Sequence, residues 1–468
     1  MIRLSIADLR DSWLSWLGVC LAFVVINAML IVSAMLVTTA ADPAARKLLG
    51  VDGAPLLTAY GWINIALSSL VGIAVVGAST SLVVISRRGA IARLLLSGAT
   101  PGQVSRLLTT QVAIVSLLAG LVGGLIAIAS AQPLLDIISR DRELPLVTAT
   151  IPASVVIATT VAFMALSIVG GLRQARVASR IPPVEALRDA AGTPSRREGP
   201  VRTTLRGLRF LVCVGALALA YPAFHAYAGE LGDDAMQTLM QISFYAIPIS
   251  GLALTTILPW ICAGLTRLWT SLLPLRGVSW HLARTAAVAK SDQLVRSIVP
   301  VMFAVGLVFG MMVVGDTFAA TLRALGLPPL EGSSTTTLLS LLGSGLAIAV
   351  AGSVGNLVMM SRQRSADLAL AGVLGATPRQ QLLVPALEAV IITVTASLLG
   401  LVMAAVSGAL LASGLAILLP QSQLSIPWPI LGLTVLICLL IVTLGTTMPV
   451  LRSLRQPAPK VISKLVAA

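Results

Sequence analysis

The chain has 468 residues, of which 57% are hydrophobic and only 11% charged, with a formal net charge of +14. Soluble globular domains carry about 25% charged residues, so a water-surrounded globule is excluded. The positive excess alone would suit a nucleic-acid binder, but its placement along the chain argues otherwise.

Apolar runs long enough to cross a bilayer as helices, about 20 residues each, recur from end to end. Ten spans are predicted, over 13–40, 60–85, 107–131, 152–172, 208–228, 242–265, 297–318, 336–360, 382–414 and 428–449. The alternating ten-residue pattern of a membrane barrel is absent. The fold class is therefore an all-α polytopic membrane protein. The first run is too long for the apolar part of a leader peptide, and Asp8 and Asp11 interrupt its basic flank. It is read as a span, although "TTAADPA" resembles a cleavage site. With a cytoplasmic N-terminus, the only Lys and Arg on the outer side are Arg46, Lys47, Arg140, Arg142 and Arg323. Such an asymmetry is the positive-inside rule, and it predicts both termini in the cytoplasm. The basic charge then serves topology and contact with the lipid bilayer, and no nucleic-acid partner is expected. Arg greatly outnumbers Lys, which hints at a bacterial cytoplasmic membrane. Cys20, Cys213, Cys262 and Cys438 all fall in apolar runs, and His225 and His281 lie far apart, so no metal site is expected.

A segment rich in Arg, Pro and Gly, "LRDAAGTPSRREGPVR", divides the chain. The resulting organisation is a four-span repeat over 1–190, a cytoplasmic linker over 191–207, a two-span insert over 208–275 and a second four-span repeat over 276–468. The two repeats share four elements in one order. Each has an amphipathic lead, a Gly-Ala-Thr-Pro turn between its second and third spans, a long third span and a basic tail with proline. Arg87 matches Arg364, Ile91 matches Leu368, and Gly98 matches Gly375 at one constant offset. The basic loops of both repeats fall on the same side, so the repeats are parallel copies about an axis normal to the membrane.

The repeated turn reads as helix grammar. Gly98 fits the left-handed position just past a helix end. Thr100 fits an N-cap, Pro101 the first helical residue, and Gln103 completes a capping box. Gly375, Thr377, Pro378 and Gln380 repeat the pattern. A short helix is thus predicted on the cytoplasmic side of each copy, over 88–97 and 365–374. The first carries Arg87, Arg88 and Arg93 with an apolar stripe of Ile91, Leu94 and Leu95. The second carries Arg364, Asp367 and Leu368. A plain helical hairpin would explain one such turn. Two copies in matching places favour a docking element for a partner.

The stretches "RRGAIARLLLSGATPGQV" and "RSADLALAGVLGATPRQQ", with "PVEALR" after the fourth span, resemble FtsX-like ABC-transporter permeases. The ten-span, four-two-four form is similar to the bacitracin-resistance permeases. The resemblance implies that the two short helices couple to an ABC ATPase, with two ATPase subunits per chain. It also implies that this chain is not an enzyme. No cofactor is expected on the chain, and ATP and Mg belong to the partner ATPase. Family members usually carry a large external domain between spans one and two of a repeat. The corresponding gaps here, 41–59 and 319–335, hold no such domain. Ala90 stands where the second copy has Asp367, and Gln111 where it has Glu388, so the copies are expected to be inequivalent.

Glu388 is the acid placed inside a span, apart from Asp316 at the outer end of 297–318. It reads either as an intramembrane polar site or as an interface residue reaching a backbone group or Arg379. Gly120, Gly123, Gly124 and Gly400 in the third spans read as close-packing positions. No phosphate-binding Gly-x-x-x-x-Gly-Lys motif occurs. The expected function is the permease subunit of an ATP-driven export or extraction system. Its substrate would be amphipathic or lipophilic: a drug, an antimicrobial peptide or a lipid taken from the membrane. The alternative is a non-transporting mechanotransmission or signalling partner of an ABC ATPase.

Overall fold

The computed structural model describes residues 9, 13–87, 91, 94–141, 144–178, 200–227, 233–273, 277–289, 291–324, 343–359, 372, 375–418 and 424–454. Among them no strand occurs. The first repeat contributes α1 (Trp13–Ala41), α2 (Pro43–Ser86), α3 (Pro101–Asp141) and α4 (Ala153–Ala178). The insert forms α5 (Pro200–Tyr227) and α6 (Asp233–Leu272). The second repeat begins with a short α7 (Val278–Ala289) and continues with α8 (Ser291–Ala324), α9 (Gly343–Met359), α10 (Pro378–Leu418) and α11 (Trp428–Leu454).

Among the described residues, 9 helices are long and apolar enough to cross a membrane. Of the tenth predicted span, 336–360, the described part is the shorter apolar helix α9. Several helices outrun their apolar cores. At 1.5 Å per residue, the 41-residue α3 and α10 reach about 60 Å, twice the hydrocarbon thickness. Both extend as helix beyond the bilayer. The gap 41–59 between the first two predicted spans is also largely helical. Asp42 caps the new helix by accepting from the Ala44 N–H at 3.1 Å, Pro43 occupies the first position, and Gly50 breaks the helix at φ 71.

Each repeat packs in the same way. In the first, α1 lies on α2, α3 and α4, and α3 lies on α4; in the second, α8 lies on α10 and α11, and α10 lies on α11. The glycines of the third spans explain the closest approach. A Cβ on Gly123 would stand 2.6 Å from the Val24 carbonyl oxygen of α1, and one on Gly400 would stand 3.0 Å from the Gly306 nitrogen of α8. Small residues let the backbones meet where apolar burial gives little drive inside lipid. The two repeats meet about a pseudo-twofold axis between α2 and α9. There the Ser79 hydroxyl donates to Asn356 Oδ1 at 2.9 Å, although the two residues are 277 positions apart. Equivalent positions of the two copies thus touch each other. One turn away Val75 fills the space beside Gly352.

The segment 144–150, between α3 and α4, straps across α1. Thr38 donates to the Thr150 carbonyl at 2.7 Å, the Thr150 N–H reaches Thr39 at 3.0 Å, and the Thr150 hydroxyl reaches Asp42 at 2.9 Å. The insert packs mainly on the second repeat: α6 covers α8 and α10 and touches α2, while α5 lies on α6.

Candidate coupling site

The first Gly-Ala-Thr-Pro turn is a double cap. Gly98 takes φ 93, a left-handed backbone that glycine adopts without a Cβ penalty. Its N–H donates to the Leu95 carbonyl at 3.2 Å, and the Ala99 N–H donates to the Leu94 carbonyl at 3.0 Å. These are the paired bonds of a Schellman motif, and they satisfy carbonyls that a helix end would leave orphaned. One residue later the next helix is capped in turn. The Thr100 N–H donates to Gln103 Oε1 at 2.9 Å, and the Gln103 N–H donates to Thr100 Oγ1 at 3.4 Å. Pro101 then opens α3.

The second copy has the same geometry. Gly375 takes φ 97 and donates to the Gly372 carbonyl at 3.1 Å. The Thr377 N–H donates to Gln380 Oε1 at 2.9 Å, the Gln380 N–H donates to Thr377 Oγ1 at 3.3 Å, and Pro378 opens α10. One bond here has no counterpart above: Gln381 Nε2 donates to the Ala376 carbonyl at 3.1 Å.

Behind the first turn the chain is anchored. Helical bonds run from Arg87 to the Val83 carbonyl and from Ile91 to the Arg87 carbonyl, so the register of α2 carries on toward the turn. Ile91 is buried with Val104 and Leu108 of α3 and Ala175 of α4, and Leu95 packs against this cluster. Leu94 is half-buried, while Leu96, Ser97 and Gly98 are exposed. The apolar stripe therefore faces the chain's own helices, and the tip faces outward. Arg87 is buried, and its guanidinium donates to Gln111 Oε1 of α3 at 2.7 Å. A charge-assisted bond of this kind ties α2 to α3 just above the turn. The sequence reading did not find this contact. Its signal is that Arg87 and Gln111 occupy the places that Arg364 and Glu388 hold in the second copy.

Among the remaining predicted residues, Thr100, Pro101, Thr377 and Pro378 are exposed at the turns. Glu388 is half-buried on α10, about three turns from its start at Pro378. Arg88, Arg93, Arg364, Asp367 and Leu368 lie outside the described residues, as does Ala90. Among the described residues, no cluster of His, Cys, Asp or Glu could hold a metal ion.

A parallel pair of four-helix units, each with a double-capped joint between its second and third helices, is the architecture of an ABC-transporter permease. A family model described as FtsX-like permease C-terminal matches residues 62–183 and 338–458, together just over half of the chain. The chain belongs to the FtsX-like permease family. Each matched segment contains one of the two turns. Members are generally non-catalytic membrane subunits that usually partner with an ABC ATPase. This chain is accordingly a multi-pass membrane protein of that kind. Comparison with curated proteins gives no match.

Proposed function

We propose that the chain is the membrane subunit of an ATP-driven export or extraction system, and that one ABC ATPase subunit docks at each of the two turns. The observation that carries the reading is the repeated joint: a stiff double cap whose outer tip is exposed and whose inner face is anchored. Leu96 and Gly98 stand free to meet a partner, while Ile91, Leu95 and Arg87 grip α3 and α4. A push on the tip is delivered to α2, α3 and α4 together, because packed elements move as units. ATP and Mg bind in the partner, whose closing supplies the push. The cytoplasmic side is the side that bears the turns.

The substrate class follows from what surrounds the helices. Among the described residues the axis between the repeats is filled by Val75, Ser79 and Asn356, so the middle of the chain is packed. A lipophilic or amphipathic substrate taken from the membrane fits such a body better than a polar solute. The same packed axis favours a second reading, in which the chain passes ATPase motion to another membrane protein without transport.

The test is a complex of the chain with its cognate ATPase in lipid nanodiscs. Proline cannot adopt a positive φ, so Gly98→Pro with Gly375→Pro should break both joints. The expected result is loss of ATPase co-purification or of the ATPase activity that complex formation supports. A double variant with a wild-type complex and wild-type turnover would overturn the docking assignment. Substrate export into vesicles then separates the two readings.

A further inference from the structure

A cleft of about 570 Å³ opens where α6 ends and α7 begins. Its walls are Thr270, Ser271 and Leu273 from α6, with Trp280, His281 and Arg284 of α7. Its floor is rigid. Trp280 is buried and meets Trp269 edge-on at 6.3 Å, and Trp269 Nε1 donates to Thr395 of α10 at 3.0 Å. Pockets of roughly 300–1,000 Å³ are the usual size for small ligands.

The chemistry of the cleft is amphipathic in a directed way. At the water end stand Arg284, half-buried, and His281, exposed. Among the described residues neither side chain has a hydrogen-bond or ion-pair partner. Arg267 adds a third basic group, exposed on the last turns of α6. Outside the cleft, along α6, Ile261, Leu268 and Leu272 are exposed on one face, and nothing lies within 4 Å of where a Cβ on Gly264 would point. These residues are spaced along a single helical stripe. The exposed apolar stripe runs along α6 and ends at Leu272, next in sequence to Ser271 and Leu273 of the cleft wall. α7 adds the exposed Val278 and Leu282 to the cleft lining.

We propose that this corner binds an anionic phospholipid. The phosphate sits against Arg284 and His281, and one acyl chain lies along the Ile261–Gly264–Leu268–Leu272 stripe. A guanidinium fits phosphate with paired donors, whereas a zwitterionic headgroup brings its own cation and gains less. A free phosphate would use the basic cleft but leave the apolar stripe uncovered. Because α7 packs on α10 and leads straight into α8, a lipid here holds the start of the second repeat to the bilayer surface. The site lies apart from both turns and does not depend on their assignment.

The experiment is native mass spectrometry of the full chain, released from detergent with equal amounts of phosphatidylglycerol and phosphatidylcholine. Wild type should retain phosphatidylglycerol preferentially. Arg284→Gln with His281→Gln should lower that retention about tenfold, the loss of a charge-assisted bond, to the level of phosphatidylcholine. Ser271→Glu changes an exposed position and should have the same effect by repulsion, which guards against a folding artefact in the double variant. Equal retention of the two lipids by wild type, or an unchanged preference in both variants, would overturn the proposal. Displacement of the lipid by glycerol phosphate as effectively as by phosphatidylglycerol would also overturn it, since the site would then take a soluble anion.

Discussion

The third helices of the two repeats are copies with opposite surroundings. In α3, Leu118, Val122 and Ile126 are 55%, 47% and 46% exposed, facing the lipid side of the molecule. Their counterparts in α10, Thr395, Leu399 and Met403, are 0%, 3% and 0% exposed. The difference is α6, which covers α10 and has no partner helix over α3 among the described residues. The sequence has adapted to the cover. Met403 packs beneath Gly251 of α6, and the polar Thr395 is satisfied by Trp269. A duplicated body thus becomes asymmetric by adding a helix to one copy, while the inner contacts of each copy stay alike. Inequivalence enters at the surfaces and the joints. Symmetry persists at the backbone seams.

The seams allow the largest test of that division. Gly123→Leu and Gly400→Leu each force a side chain onto the backbone of a neighbouring helix, and overpacking of this kind costs about 1–3 kcal/mol or more. The carbonyl above Gly123 is closer than the nitrogen above Gly400, at 2.6 Å against 3.0 Å, so the first variant should lose more stability. Thermal unfolding in detergent measures both. A large loss at one seam and none at the other would break the symmetry of the inner contacts.

Next in size is the tie above the joint. Gln111→Leu removes the acceptor that Arg87 meets at 2.7 Å, and should lower stability by about 1.5–3 kcal/mol, as expected for a hydrogen bond to a charged group. Gln111→Glu gives the first copy the acid that the second copy has at Glu388, and should retain wild-type stability. If Gln111→Glu is as harmful as Gln111→Leu, then the first joint is specific for a neutral partner and the copies differ more deeply than one substitution. A smaller effect comes from the turns themselves. Gly98→Val and Gly375→Val place a β-branched residue at a positive φ, at a cost of about 1–2 kcal/mol each. The ATPase rate of the assembled complex should fall further for Gly375→Val if the second joint is the stronger coupler.

The turns were legible in the sequence because their chemistry is local. Gly98, Thr100, Pro101 and Gln103 encode a stop and a restart within six residues, and every one of those roles appears in the structure. The duplication was legible because the two turns share their order with the spans around them. Helix lengths were less so. Hydropathy marks where lipid begins, but α3 and α10 continue beyond it, and only capping residues such as Asp42 and Pro43 announce helix outside the bilayer. The Arg87–Gln111 bond was hidden for another reason. It joins two helices through a neutral partner, so only comparison with Arg364 and Glu388 of the second copy flags it. The cover by α6 was hidden because an apolar helix face reads the same whether lipid or protein lies on it.

The smallest expected effect separates structure from coupling most cleanly. Thr100→Ala and Thr377→Ala each delete one N-cap, worth about 1 kcal/mol at an exposed helix start. The two caps have nearly the same geometry, 3.4 Å and 3.3 Å from hydroxyl to backbone nitrogen. Stability should therefore fall by equal amounts. The second joint keeps an additional tether from Gln381 to the Ala376 carbonyl, so its turn stays closed when the cap is lost. ATPase coupling should then suffer more from Thr100→Ala than from Thr377→Ala, the reverse of the order expected for the glycine variants. Adding Gln381→Ala to Thr377→Ala removes the tether and should restore the deficit. If the tether makes no difference, the inequality between the joints lies in their contacts with the ATPase and not in the stiffness of the turns.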